Sequence, residues 1–165
     1  MAFLVMLTSG WQIYNADPFW IGGFADYLTL GGSLPNALMW HFAGMWVLAA
    51  NGLVAVSLLV TTGRLRRLYL SLGARGEHAE RSHVQKVVYL GVLTLLMFVI
   101  LSGLAIWKPV QLQWLTQMFG GYQMARQVHF LCMALLTGFA CGHICLALLS
   151  PRSLLSMLGF LRKTS

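Results

Sequence analysis

Three stretches of the sequence contain no Asp, Glu, Lys or Arg: Ala37 to Thr62, Val87 to Trp107 and Val128 to Leu149. Each is apolar along its whole length. Each is long enough to cross a hydrocarbon core of about 30 Å, which takes about 20 helical residues. Lipid offers backbone N–H and C=O groups no partner, so such runs must be helices. The pattern predicts transmembrane helices over 37–62, 86–107 and 126–149. A fourth apolar run, 1–14, also reads as helix. At 1.5 Å per residue it reaches about 21 Å, short of a crossing. It lacks the basic n-region and small-residue cleavage site of a signal peptide. It reads as the back end of a transmembrane helix whose front is missing; the alternative is a short re-entrant or interfacial segment. The expected fold is all-α: one membrane-embedded domain over 1–165, a transmembrane four-helix bundle with an incomplete first helix.

Composition agrees. The chain is 58% hydrophobic and only 9% charged, against about 25% charge in soluble domains. The net charge of +7 does not form a nucleic-acid-binding stripe, because the basic residues sit in short connectors. Arg64, Arg66, Arg67, Arg75, Arg81 and Lys86 precede the third helix, and Arg152, Arg162 and Lys163 follow the last. The opposite side carries Lys108 and Arg126. By the positive-inside rule the connector 63–86 and the C-terminus face the cytoplasm. Trp11, Trp20, Trp40, Trp107 and Trp114 then gather at the outer interface, as aromatic belts do. Gly31-Gly32 and Gly120-Gly121 mark turns, and no internal repeat is evident. Cys132, Cys141 and Cys145 lie in one apolar run without CxxC spacing and read as small apolar residues.

Ionisable residues inside a membrane are costly and usually functional. Three histidines lie within spans: His41, His129 and His143. His129 and His143 are 14 residues apart, which puts them on nearly one face of a helix and about 21 Å apart along it. That spacing suits two haems, one near each surface. His41 and His129 both lie near the outer ends of helices running inward, so they form a plausible axial pair for an outer haem. Neutral imidazole is a good iron ligand. His143 has no such partner: Ala55 and Val87 to Tyr89, at its depth, do not ligate. His83 is the nearest alternative, and the front of the first helix is the other place to look. The competing reading is that these histidines only hydrogen-bond between helices.

At these residues the chain resembles the bacterial four-helix cytochrome b subunits of the thiosulfate reductase, formate dehydrogenase gamma and nickel-iron hydrogenase kind, a prokaryotic cytochrome b561-like group. The matching segments are SGWQIYNADP from Ser9, WHFAGMWVLAANGL from Trp40, QKVVYLGVL from Gln85, FGGYQMARQVHF from Phe119 and GHICLALL from Gly142. The closest likeness is to the branch that accompanies molybdopterin oxidoreductases. The resemblance implies two b-type haems. His41 and His129 would hold the outer one, and His143 one axis of the inner one. The family's fourth ligand lies in the first helix, ahead of a stretch like Met1 to Ser9, so one haem is expected if the chain is truncated. The family's quinone pocket carries an N-x-x-Q-K pattern. Here Gln85 and Lys86 match, Ser82 replaces the Asn, and His83 is placed to pass protons. The alternative is that Gln85 and Lys86 begin a helix, with Lys86 snorkelling.

Arg126, one turn before His129, is a candidate for a haem propionate or an interface anchor. Gly44, Gly52, Gly91 and Gly103 would admit a flat macrocycle or ease helix packing. The expected function is that of an electron-transfer subunit, not a catalytic one. It would sit in the bacterial inner membrane and carry electrons between quinone and a periplasmic molybdopterin or other redox subunit. The competing classes are a haem-free scaffold or transporter subunit and a stand-alone quinol-oxidising haem enzyme.

Overall fold

The structure, a computed structural model, describes the backbone of residues 1–63 and 79–149 and the side chains of 1–63 and 87–149. The described residues are helical, with no strand among them. They form α1 (Ala2–Asn15), a short 3-10 helix (Asp26–Leu28), α2 (Leu34–Thr61), α3 (Ala79–Trp107), α4 (Gln113–Met118) and α5 (Tyr122–Leu149). Among the described residues three helices are long and apolar enough to cross a membrane: α2, α3 over Val87–Trp107, and α5. The chain is an all-α integral membrane protein. Two connector elements lie outside the apolar pattern, the 3-10 turn and α4. The basic residues Arg64, Arg66, Arg67, Arg75, Arg152, Arg162 and Lys163 lie outside the described residues.

The helix ends follow local chemistry. Ser33 precedes α2 in extended conformation and Pro35 sits in its first turn, where a missing N–H costs no intrahelical bond. α2 ends at Thr62 and Gly63, the latter at φ +64°. α3 and α5 both start earlier than the apolar pattern predicts, because their first turns precede Lys86 and Arg126 and so lie outside the uncharged runs.

The chain divides into two compact units, Met1–Gly76 and Glu77–Ser165. In the first, α1 packs along α2. The helices approach closely at Gly44, where a Cβ would stand 2.7 Å from Met6 Cγ. Apolar burial gives little drive between helices already in lipid, so close backbone approach over small residues supplies the contact. In the second unit, α3 packs along α5, and α4 fits beneath them. Ala105, Leu115 and Ala125 form its buried centre, joined by Leu101, Leu104, Ile106, Leu112 and Phe119. Thr116 Oγ1 donates to the Ala105 carbonyl at 3.2 Å and ties α4 to α3.

The connector after α1 folds around one hydroxyl. Tyr14 Oη accepts from the backbone N–H groups of Phe19, Trp20 and Ile21 at 3.3, 3.1 and 2.9 Å, and donates to the Ile21 carbonyl at 2.9 Å. Asn15 repeats this on Phe24, whose N–H and carbonyl it binds at 2.7 and 2.8 Å. Phe24 in turn stacks on Trp11 with centroids 4.8 Å apart. Further along, Gly31 takes φ +116°, and a Cβ there would lie 2.6 Å from the Ala37 nitrogen. Only glycine fits that turn into α2.

Tyr14→Phe removes the shared acceptor and leaves these amides without their partner. The expected cost is about 1–3 kcal/mol of local stability. Hydrogen exchange should show the Trp20 and Ile21 amides losing protection while α2 amides keep theirs. Unchanged protection at both would contradict this account of the connector.

Candidate haem site

His41 lies in the first unit and His129 in the second, and each is held in the same way. His41 lies on α2, seven residues after the helix begins at Leu34; His129 lies on α5, seven residues after Tyr122. Ser9 on α1 places its Oγ 3.1 Å from His41 Nδ1. Ser102 on α3 places its Oγ 3.1 Å from His129 Nδ1. The partners are 32 and 27 residues apart in sequence, so the contact is tertiary in both units. Ser9 and Ser102 are fully buried.

The hydrogen-bond pattern fixes the ring tautomer. Ser9 Oγ donates back along its own helix to the Val5 carbonyl at 2.6 Å. Ser102 does the same to Phe98. Each hydroxyl has one proton, so its remaining capacity toward the ring is as an acceptor. The imidazole must therefore donate from Nδ1. Backbone carbonyls reinforce this. The Val99 carbonyl, which can only accept, lies 3.0 Å from His129 Nδ1. His41 has a backbone hydrogen bond to Met6 in the corresponding place. With the proton on Nδ1, the lone pair is on Nε2, the form in which histidine ligates a metal.

A glycine follows each serine. A Cβ on Gly10 would sit 3.5 Å from His41 Cε1, and one on Gly103 would sit 3.2 Å from His129 Cε1. The rings thus lie against bare backbone. The same four places recur in order in both units: Val5, Met6, Ser9 and Gly10 on α1, and Phe98, Val99, Ser102 and Gly103 on α3. The internal repetition that the sequence pattern did not reveal is therefore present in the contacts. Its sequence traces are the dipeptide Ser-Gly, at 9–10 and 102–103, and the pattern His-Phe-x-x-Met-x-x-Leu, at 41–48 and 129–136.

The other predicted residues fall as follows. His143 lies further along the continuous helix α5, exposed on its unit and stacked on Phe139 with centroids 5.9 Å apart. The guanidinium of Arg126, one turn from His129, donates to Gln123 Oε1 at 3.0 Å. His83, Gln85 and Lys86 lie in the first turns of α3, and their side chains are outside the described residues. Gly44 is filled by Met6, so it serves helix packing, whereas Gly103 lines a histidine. Gly52 and Gly91 have nothing within 4 Å. Among the described residues, no cluster of three or more His, Cys, Asp or Glu side chains is poised to hold a bare metal ion.

Isolated imidazoles with fixed tautomers, lying over glycine, are the donor set a haem iron uses. The sequence profile described as prokaryotic cytochrome b561 matches residues 1–160. The chain belongs to the prokaryotic cytochrome b561 family. A relative from Azospira oryzae, named putative protein-methionine-sulfoxide reductase subunit YedZ1, is 37% identical over 174 residues, covering 96% of this chain and 88% of its own. No solved structure gives a significant match. As a cytochrome b561 family member, the chain is a membrane haem b protein of electron transfer. The residues present fit the group: His41 and His129 both carry their proton on Nδ1, the tautomer in which Nε2 binds a metal.

The glycines give an asymmetric prediction. A methyl at Gly103 crowds the His129 ring more tightly than one at Gly10 crowds His41. Gly103→Ala should lower haem content clearly, and Gly10→Ala only slightly, by pyridine haemochrome on purified protein. Equal, full occupancy in both would show that the rings do not depend on this backbone.

Proposed function

We propose that the chain is a di-haem b-type subunit of the bacterial inner membrane. It would pass electrons between the quinone pool and a periplasmic redox partner of the molybdopterin oxidoreductase class. The observation that carries the reading is the matched seating of His41 and His129. Both have the iron-binding tautomer and both sit seven residues into helices that follow an outer connector. Helices that start at one membrane surface place such residues at one depth. His41 and His129 would together hold the outer haem, and His143, about 21 Å further along α5, would help hold the inner one.

Haem b, when bound, supplies one-electron chemistry. The chain's residues set its position and surroundings. Ser9 and Ser102 hold the ligating rings, and lipid-facing helices keep the site at low dielectric. Arg126 would turn from Gln123 to a haem propionate, with which a guanidinium makes a fork of hydrogen bonds. On the cytoplasmic side, Gln85 would donate to a quinone carbonyl, with Lys86 beside it, and His83 would exchange the proton with water. The Azospira oryzae relative is named as a subunit of a protein-methionine-sulfoxide reductase. A reductase consumes electrons, so a partner of that kind here would draw them outward from quinol.

The test is a reduced-minus-oxidised spectrum with haem counted per chain. His41→Ala and His129→Ala should each remove the same b-type haem, while His143→Ala leaves that haem in place. Retention of the full spectrum in both outer variants would overturn the axial pair. Absence of haem from the parent protein after expression with ample haem would favour a haem-free scaffold.

A further inference from the structure

We infer that Ser9 and Ser102 are a matched pair of positioning residues that set the orientation and donor strength of the two outer haem ligands. This rests on the proposed ligation by His41 and His129 and extends it to residues that touch neither iron nor macrocycle.

The two serines are fully buried, and each Oγ is 3.1 Å from an imidazole Nδ1. Neither hydroxyl is needed to satisfy its own helix. Helical backbone carbonyls already accept from N–H groups four residues on, and a buried serine facing lipid-embedded neighbours gives no packing advantage over alanine. What the hydroxyl adds is an acceptor aimed at a ring nitrogen on the adjacent helix. A second acceptor, the Val99 carbonyl at 3.0 Å, shares the Nδ1 proton of His129. Met6 stands in that place for His41. Each ring is therefore pinned by two acceptors separated by one helical turn, which fixes rotation about its χ2 bond as well as its tautomer. An acceptor on Nδ1–H also pushes electron density toward Nε2, which strengthens the donor and favours ferric over ferrous iron.

Two chemically equal ligands follow. The same pair of acceptors acts from α1 on one ring and from α3 on the other, at corresponding helix positions. Loss of either serine leaves the carbonyl to keep the tautomer, so haem should remain while ring orientation and potential change.

The experiment is a potentiometric titration and low-temperature EPR of the purified full chain and of its Ser9→Ala, Ser102→Ala and doubly substituted forms. Each single variant should keep its haem, raise the midpoint potential and move the low-spin g-values. The double variant should show about the sum of the two shifts. Unchanged potential and g-values at full haem content would overturn the inference. If haem is lost while helix content by circular dichroism is kept, Ser9→Thr and Ser102→Thr decide. Return of haem with the hydroxyl supports the inference, and continued loss overturns it. The ligand assignment fails separately, by persistence of the parent spectrum in His41→Ala and His129→Ala.

Discussion

A histidine ring in the hydrocarbon region must have its N–H satisfied by the protein itself. Water is not there to do it, and an unmade hydrogen bond to a buried polar group costs about 1–3 kcal/mol. In this chain the need is met twice by one device. A serine late in one helix and a carbonyl one turn before it both face an imidazole on the next helix. That contact selects the tautomer, brings the two helices to a fixed register, and leaves the ring's lone pair on Nε2. The glycine after each serine belongs to the same arrangement, because the ring lies where a side chain would otherwise begin.

The device explains why each unit is a helical hairpin with an ordered connector. The serine and the histidine lie near the helix ends that the connector joins, so the connector must bring those ends together accurately. In the first unit Tyr14 and Asn15 gather the backbone of the connector by hydrogen bonds, and Gly31 makes the turn into α2. In the second, α4 is locked by Thr116 and by the buried cluster around Ala105 and Leu115. Different connectors solve the same positional problem.

Much of this was legible in the sequence, for a physical reason. A membrane demands long uncharged helices, so the spans declare themselves, and the cost of an intramembrane histidine picks out His41, His129 and His143. The first turns of α3 and α5 escaped because they precede Lys86 and Arg126, the charges that bound the uncharged runs. The 3-10 turn at Asp26 and the six-residue α4 are too short to carry a period and owe their shape to tertiary contacts. Ser9 and Ser102 were hidden most deeply. Serine is common in apolar helices, and what distinguishes these two is a partner 32 and 27 residues away. The recurrence of Ser-Gly, and of His-Phe-x-x-Met-x-x-Leu at 41–48 and 129–136, hints at it, but such short matches lie between otherwise unlike segments. The quinone candidates His83, Gln85 and Lys86 stand on sequence alone, since their side chains lie outside the described residues.

The central claim is that two neutral histidines, both binding through Nε2, hold the outer haem. Near-infrared magnetic circular dichroism of the oxidised protein tests it most directly, because the charge-transfer band reports the pair of axial ligands. The account predicts a low-spin ferric haem with the band position of bis-imidazole coordination. A histidine–methionine band, or a high-spin ferric haem with one axial position open, would contradict it.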